Sequence, residues 1–340
     1  MKKIVKINLL SHNSRSLLFL SALVCVLQLS FVNTYAQPAT GTTVRVFAPP
    51  PKPTKPIEID SLSELEDLPL PEVAEEPDAV KDNVSNLTMG MVPTSAYRRT
   101  APKKKSIVDG EAETITVNGV SFNMVGVNGG SFVMGGTEEQ GTDAEMEEQP
   151  VHTVTLSDFS IGETEVTQEL WVAVMGKNPS RYHGPQLPVE SIRYVDCEYF
   201  IYRLNFLTGR NFRLPTEAEW EFAARGGNKG KPTKYAGSDD FDSVAWYCNN
   251  SGNVTHEVKG KFPNELGLYD MSGNVDEWCS DSWVRYSDMP QTNPRFTADH
   301  QQKVRRGGGC LDFAKHLRVS DRRGSSSRMW NFDIGLRLAE

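Results

Sequence analysis

The sequence lacks several features that would assign it to common functional classes. Its 340 residues include 36 Lys and Arg against 44 Asp and Glu, a formal net charge of −8. This deficit of positive charge argues against non-specific nucleic-acid binding, which depends on neutralising phosphates. The chain also has only six histidines, and they are scattered along it. Scattered histidines argue against a His-rich iron centre.

Long apolar runs are scarce as well. The run from Leu17 to Leu29 is short for a helix of ~20 residues that spans a membrane. It follows a basic segment and precedes the small residues Thr34 and Ala36, which predicts a signal peptide over residues 1–36. An uncleaved anchor helix and lipidation of Cys25 are the alternatives, and only these would associate the chain with a membrane.

Cleavage after Ala36 would give an exported chain, located in the periplasm, at the outer membrane or outside the cell. The mature chain would carry 32 Lys and Arg against the same 44 acidic residues. An exported compartment permits disulfides. Four cysteines allow three complete pairings, and the sequence does not choose among them; they are Cys197, Cys248, Cys279 and Cys310.

Residues 37–110 have the composition of a disordered linker rather than of a folded domain. Eleven of the 20 prolines lie between Gln37 and Lys105, and the segment 46–56 favours extended polyproline geometry. Residues 57–80 contain nine Asp or Glu and no Lys or Arg, and a basic stretch follows. Such a segment has too little apolar surface to offset the entropy of ordering. It is either a spacer or an arm that docks on a partner.

Residues 111–340 have the composition of one globular domain. Alternating apolar and polar residues over 114–125 predict a half-buried strand, and the segment 152–167 predicts a strand, a turn and a strand. Helices are predicted over about 168–175 and 195–207 from apolar residues at helical spacing. Because no long run typical of a parallel sheet is present, the pattern indicates an irregular α+β domain rich in structured loops.

The strongest helix prediction begins at Thr216. Thr216 and Glu219 have the spacing of a capping box, in which each side chain accepts from the other residue's backbone N–H. Gly226 and Gly227 provide a stop for the helix. Large apolar anchors lie near glycines, as a loop-rich core requires; they are Trp171, Trp220, Trp246 and Trp278.

Several blocks resemble the sulfatase-modifying-factor family, whose founding members are the formylglycine-generating enzymes. The two most specific are RLPTEAEWEFAARGG (213–227) and GLYDMSGNVDEW (267–278). The resemblance extends from about residue 121 to 340 and implies a C-type-lectin-like, loop-rich fold with short helices and small antiparallel sheets. The other matching blocks are GGSFVMGG (129–136), EEQPVHTVTLSDFSIGETEVTQELW (147–171), NPS (178–180), LPVESI (187–192), RRGGG (305–309) and IGLRLA (334–339).

The resemblance also shows that the family's catalytic residues are missing. Active members use two cysteines whose thiolates bind copper, a soft-metal chemistry. At the matching positions this chain has Asp312 and Leu317, and Cys310 lies two residues before the first position. Copper is therefore not expected. We expect a non-catalytic binding or scaffold protein of the cell envelope, a pseudoenzyme; the alternative is an oxidase that converts a sulfatase Cys or Ser to formylglycine.

A structural calcium site is the cofactor that the resemblance implies. Asp270 and Glu277 would supply side-chain oxygens, and Gly273 and Val275 would supply backbone carbonyls. Calcium prefers six to eight such oxygens from a flexible loop. Asp276 replaces an aromatic residue usual in the family, which leaves open an empty, hydrogen-bonded loop.

The segment that replaces the catalytic cysteines predicts a partner surface. It combines arginines with aromatic residues, which are common in binding hot spots. The partner would be an envelope protein or an extended, acidic polypeptide; the alternative is that these side chains pack inside. The candidate residues are Asp312, Phe313, His316, Arg318, Arg322, Arg328 and Trp330.

Overall fold

The computed structural model describes residues 107–297 and 302–340. The predicted signal peptide and nearly all of the predicted linker lie outside these residues. The described chain is a mixed α+β fold with short helices and three small sheets. Within it, no helix is long and apolar enough to cross a membrane.

The first sheet contains the hairpin with which the domain begins. It has the order β1 (Ala112–Val117), β2 (Val120–Val127) and β5 (Phe159–Gly162), and both pairings are antiparallel. The prediction of a single strand over 114–125 is wrong, because Asn118 and Gly119 make a two-residue turn. Both have positive φ angles, 48° and 82°, which a tight hairpin turn requires.

The second sheet is formed by β3 (Gly130–Met134), β4 (His152–Leu156) and β7 (Gln291–Thr292). The predicted strand, turn and strand after residue 152 are confirmed as β4 and β5. These two strands belong to different sheets, although two residues separate them. The intervening turn therefore joins the sheets.

The third sheet has the order β10 (Ile334–Gly335), β6 (Asp276–Ser282), β8 (Gln302–Arg306) and β9 (Arg322–Ser326). The pairs β4–β7 and β6–β10 are parallel, whereas the other pairs are antiparallel. The expectation of purely antiparallel sheets is corrected in these two places. In each, one partner has only two residues and joins a sheet edge.

Four α-helices lie between the strands: α1 (Gln168–Met175), α2 (Tyr194–Thr208), α3 (Glu217–Ala224) and α4 (Phe241–Val244). The predicted cap of α3 is confirmed. The Oγ1 of Thr216 accepts the Glu219 N–H at 3.2 Å, and a Glu219 carboxylate oxygen accepts the Thr216 N–H at 2.8 Å. Short 3₁₀ helices cover Glu138–Asp143, Met146–Glu148, Gly227–Lys229 and Ala314–His316.

The tryptophans predicted as anchors lie in or beside the core. Trp171, Trp220 and Trp278 are buried, and Trp171 stacks on Phe200 with ring centroids 4.8 Å apart. Trp246 is half-buried and stacks on His256 at 3.8 Å. Large rings thus supply apolar burial that the short strands and helices cannot supply alone.

Candidate functional site

Both residues that replace the family's catalytic cysteines are held by the fold. A carboxylate oxygen of Asp312 lies 2.9 Å from an Arg323 guanidinium nitrogen, and the other oxygen accepts the Gly309 N–H at 2.9 Å. Leu317 is fully buried in an apolar cluster that includes Tyr235 and Tyr247. The first position thus carries a carboxylate that is already paired with an arginine. The second carries no atom that could bind a metal.

Cys310 is the remaining thiol of this segment, and the fold makes it unreactive. Its backbone is fixed on both sides, because its N–H donates to the Asn274 carbonyl and its carbonyl accepts the Ser251 hydroxyl, both at 2.8 Å. Burial, with nearby Asp333, raises the pKa of the thiol well above its ordinary value. A thiol in this state is protonated, so it lacks the thiolate that nucleophilic and metal chemistry require.

The three other cysteines do not complete a thiol site. Cys197 and Cys279 are buried, and burial raises the pKa of each thiol well above its usual range. Cys248 is half-buried, and its backbone N–H donates to the Asp312 carbonyl at 3.1 Å. All four cysteines of the described chain are free, so none of the three pairings left open by the sequence is present.

Glu277, one of the predicted calcium residues, is paired with a buried arginine. The guanidinium of Arg337 donates to the Glu277 carboxylate, with nitrogen–oxygen distances of 2.8 and 3.0 Å. The indole N–H of Trp220 donates to the same carboxylate at 2.7 Å. Glu277 is therefore bound by two donors of the protein. This explains its complete burial, since a buried charge needs such partners.

Asp270 lies in the same buried region but has fewer partners. Its carboxylate accepts the Lys259 N–H at 2.8 Å, and burial raises its pKa to about 6. The neighbouring Glu165 accepts the Val275 N–H and the Asn274 amide, and burial with nearby Asp270 raises its pKa well above the usual range.

Three carboxyl groups therefore share one arginine here, and a bound cation would favour the ionised forms of Glu165 and Asp270. The side-chain geometry suits it less well. Gly273 packs against the Trp246 backbone, and the described residues contain no group of three His, Cys, Asp or Glu placed to hold a metal ion. The calcium site stays a prediction, with Asp270 rather than Glu277 as its uncommitted side chain.

Two arginines assigned to the partner surface are structural, and that part of the prediction is wrong. Arg318 is completely buried and lies 2.6 Å from the Glu148 carboxylate. Arg322 is buried, donates twice to Glu217 at 2.6 and 2.7 Å, and lies 3.9 Å from the Tyr286 ring centroid. Their carboxylate partners lie 105 to 170 residues earlier in the chain, so local sequence could not reveal them.

The other candidate residues divide between the surface and its edge. Phe313 and Trp330 are 65% and 52% exposed, and Arg328 is exposed. His316 is half-buried, with a ring nitrogen 3.3 Å from the Asp321 carboxylate. Asp312, paired with Arg323, is half-buried. Exposed aromatic residues are therefore present in the predicted segment. Two of the predicted arginines are buried and do not contribute to a surface.

A residue that the sequence did not predict adds positive charge at Phe332, two residues after Trp330. The guanidinium of Arg181 lies over the Phe332 ring, 4.5 Å from its centroid, and 5.5 Å from that of Tyr182. The Phe332 and Tyr182 rings meet edge to face at 6.2 Å. Arg181 is exposed. We name the surface formed by Arg181, Tyr182, Arg328, Trp330 and Phe332 the 181/330 surface.

Two contacts fix the loops that carry the 181/330 surface. Glu190 is buried beneath the first loop, where its carboxylate accepts the Arg181 and Tyr182 N–H groups at 2.6 and 3.0 Å. Gly309 packs against the second loop, because a Cβ at this glycine would come within 2.8 Å of the Asp333 Cβ. Through Gly309, the segment that replaces the catalytic cysteines touches the loop that presents Trp330.

Comparison with known proteins identifies the family of this domain. Residues 111–340 match the Sulfatase-modifying factor enzyme 1-like domain. The chain belongs to this family. Two solved structures resemble it: Treponema denticola variable protein 1, with a TM-score of 0.62, and PvdO from Pseudomonas aeruginosa, with 0.60. They are 33% and 26% identical, cover 67% and 69% of this chain, and are themselves covered to 98% and 99%.

Curated relatives of this sulfatase-modifying-factor domain carry different names. The chaperone protein LppX of Paenibacillus barcinonensis is 35% identical over 49% of this chain and 74% of its own. A formylglycine-generating enzyme of Streptomyces coelicolor is 29% identical over 62% and 87%. The inactive C-alpha-formylglycine-generating enzyme 2 of Bos taurus is 27% identical over 65% and 89%. Since one family includes an enzyme and an inactive relative, the residues of the site have to decide the activity.

Proposed function

We propose that this protein is an exported, non-catalytic binding or scaffold protein of the cell envelope. The observation that carries the proposal is the state of Asp312 and Leu317. Copper(I) is held by soft thiolate ligands, whereas Asp312 offers a hard oxygen that is already paired with Arg323. Leu317 offers no ligand atom and is fully buried. A two-thiolate copper site would require both residues to be replaced.

Mass spectrometry of a sulfatase-motif peptide tests this proposal. The mature chain, copper and oxygen are incubated with the peptide, and loss of the cysteine thiol in favour of an aldehyde is monitored. We expect no aldehyde. A formylglycine-generating enzyme of the same family serves as the positive control for the assay. Aldehyde formation by this chain would contradict the non-catalytic proposal and favour the oxidase alternative.

We further propose the 181/330 surface as the binding site. Exposed aromatic side chains supply contact area at low entropic cost, and arginines above or beside them supply charge and planar hydrogen bonding. Trp330 is 52% exposed, and Arg181 lies over the Phe332 ring at 4.5 Å. Such a surface suits an envelope protein that presents an extended segment with acidic and apolar residues.

Paired variants test this surface. Trp330→Ala/Arg328→Ala is compared with wild type for capture of envelope proteins, which are identified by mass spectrometry. Phe206→Ala is the matched control, because Phe206 is an aromatic residue on α2 with 79% exposure. We expect the double variant to lose a partner that wild type and Phe206→Ala both retain, with an unchanged melting temperature. Retention of every partner by the folded double variant would contradict the site.

A further inference from the structure

The segment that connects β3 and β4 is acidic and contacts several other segments of the domain through ion pairs. Residues 138–148, which we name the acidic strap, contain six Asp or Glu in eleven positions and no Lys or Arg. Met146, the one large apolar side chain of the strap, is 82% exposed. Charge rather than apolar burial therefore holds the strap. Its partners are Arg225, Lys234, Lys315 and Arg318.

The two ends of the acidic strap are firmly anchored. At the C-terminal end, Glu148 is buried and lies 2.6 Å from the guanidinium of the equally buried Arg318. At the N-terminal end, Glu139 pairs with Arg225, which also lies 2.9 Å from the buried Glu221. Breaking a buried ion pair is costly because it leaves an uncompensated charge. We therefore expect both ends of the strap to stay in place.

The middle of the acidic strap is held more weakly. Asp143 pairs with Lys234, and a Glu145 carboxylate oxygen lies 3.5 Å from the Lys315 Nζ. The side chains of Asp143 and Glu145 are 42% and 44% exposed, and exposed ion pairs contribute little to stability. Gly141 interrupts the strap with a non-helical backbone and a φ of 60°, and the space beside it is open. Gly141 therefore provides a point at which the middle can move while the ends stay fixed.

The two lysines that pair with the middle of the strap lie close together, although they are distant in sequence. The Lys234 carbonyl accepts the Val319 N–H at 3.1 Å, which places Lys234 beside the turn that contains Lys315. The hydrogen bond from Lys234, together with the charges of Lys234, Arg318 and Lys315, lowers the pKa of Asp143. In the described part of the chain, neither lysine forms an ion pair with an acid outside the strap. Both would carry an unpaired charge if the middle of the strap moved away.

We propose that Lys234 and Lys315 form a binding site for an acidic, extended polypeptide segment of a partner, and that the acidic strap occupies this site in the free protein. The contacts of the strap indicate which ligand fits. Ala144 and Glu145 have extended backbone conformations, so Asp143 and Glu145 present two carboxylates separated by one residue. A partner segment with acids at alternate positions would present its carboxylates on one face and pair with both lysines. Because the strap is tethered, such a partner competes with a high local concentration of strap.

An exposed aromatic residue gives a partner an advantage over the strap. Phe313 is 65% exposed and precedes Lys315 by two residues. The strap leaves this ring exposed, so a partner that covers it gains apolar contact that the strap lacks. The preferred partner segment therefore combines alternating acids with an apolar residue. The site uses none of the residues of the 181/330 surface, and neither proposal depends on the other.

A fluorescently labelled synthetic peptide of residues 138–148 tests the site, with fluorescence anisotropy as the readout. The wild-type mature chain is compared with Asp143→Asn/Glu145→Gln, in which the strap no longer competes through its charge. We expect the variant to bind the peptide about tenfold more tightly, because more of its sites are free. The control Glu257→Gln/Asp288→Asn removes two exposed acids elsewhere and should bind the peptide as wild type does. Equal affinity of all three chains would overturn occupation of the site by the strap.

Charge reversal locates the site. In the chain with the neutralised strap, Lys234→Glu/Lys315→Glu should weaken peptide binding at least about tenfold, since two attractive charge pairs become repulsive. The matched control is Lys177→Glu/Arg285→Glu, at two exposed cations elsewhere, which should keep the affinity. Equal weakening by both pairs would overturn the site, because binding would then follow net charge alone. Undetectable binding to every chain would reject the site outright.

Hydrogen–deuterium exchange of the wild-type chain tests displacement of the strap. The label on the peptide separates its mass from the chain's own fragments. With saturating peptide, amides of residues 141–147 should exchange at least about fivefold faster than in the free chain, since the strap leaves the lysines. A control peptide with Asp143→Asn/Glu145→Gln should leave the exchange unchanged. Bound peptide with unchanged or slower exchange at 141–147 would overturn the proposal, because the peptide would then not take the place of the strap.

Discussion

Two groups of arginines in this domain have opposite surroundings. One group is buried and paired with carboxylates from distant parts of the chain; it comprises Arg306, Arg318, Arg322 and Arg337. The other group is exposed and forms no salt bridge within the described residues; it comprises Arg181, which lies over the Phe332 ring, and Arg328. The comparison teaches that an arginine in the C-terminal segment can serve a binding surface only when it is not already paired with a buried carboxylate.

The largest effect on the free energy of unfolding, and so the strongest test of this comparison, is expected at the buried arginines. Arg322→Ala would leave Glu217 buried with only part of its charge compensated, and breaking a buried ion pair costs about 3–5 kcal/mol. We therefore expect a large loss in the free energy of unfolding, measured by urea titration. Arg328→Ala, at an exposed and unpaired arginine, should change it by less than about 0.5 kcal/mol. Similar losses for both variants would show that the two groups are not distinct.

A calcium titration extends the comparison to Arg337, the buried arginine near the carboxyl groups of Glu165, Asp270 and Glu277. We propose that a cation near Asp270 completes the charge balance. Calcium at one hundred times its dissociation constant should then stabilise the fold by about 2.7 kcal/mol. Asp270→Asn should abolish that gain, and it is a cleaner variant than Glu277→Ala, which would also remove the partner of Arg337. Identical unfolding curves in calcium and in EGTA would reject the site.

The pH dependence of stability probes the support beneath the 181/330 surface. Burial raises the pKa of Glu190 to about 7. Because the folded state holds this proton more tightly than the unfolded state, the stability it contributes is complete below pH ~4.5 and is lost as the pH rises through 7. Between pH 6 and 8 the contribution should fall by about 1.4 kcal/mol.

The variant Glu190→Gln should flatten this part of the stability curve. Glutamine keeps an oxygen for the Arg181 and Tyr182 N–H groups, and its amide can donate to Ser191, whose hydroxyl donates to Glu190 at 2.6 Å. Urea titrations of both proteins at several pH values provide the measurement. Parallel curves for wild type and variant would show that Glu190 does not titrate in this range.

The smallest stability effect is expected at Trp330. Its ring is about half exposed, so Trp330→Ala should shift the free energy of unfolding by less than about 0.5 kcal/mol. Differential scanning calorimetry beside partner capture gives the two readouts. Loss of partner capture with an unchanged melting temperature would show that Trp330 contributes to binding and not to the stability of the core. A strongly lowered melting temperature would place Trp330 with the structural residues instead.

The sequence was most informative where local chemistry determines local structure. The cap at Thr216 and the extent of α1 and α2 follow from side chains within a few positions of one another. The hairpin at Asn118 was overlooked, although Asn-Gly between alternating apolar residues is a strong turn signal. The assignment of β4 and β5 to different sheets depends on pairings with distant strands, which no local pattern contains.

The site was harder to predict because its contacts are long-range. The replacement of the thiolate pair by Asp312 and Leu317 is a prediction that follows from the family resemblance. The burial of Arg318 could not be predicted, because its partner Glu148 lies 170 residues earlier. Arg181 was not predicted for the same reason, because its contact with the Phe332 ring joins two distant parts of the chain. The buried Glu217 of the RLPTEAEWEF block shows the same limit, because its partner Arg322 lies 105 residues later.

The absence of a side chain at Gly309 allows the segment that contains Asp312 to pack directly against the loop that carries Trp330. Any substituent larger than hydrogen would overlap the Asp333 backbone and Cβ, and the loop after Arg328 would have to move outward to make room. The orientation of Trp330 would then change without alteration of any exposed residue. A single buried methyl group would therefore be enough to alter the proposed binding surface from beneath.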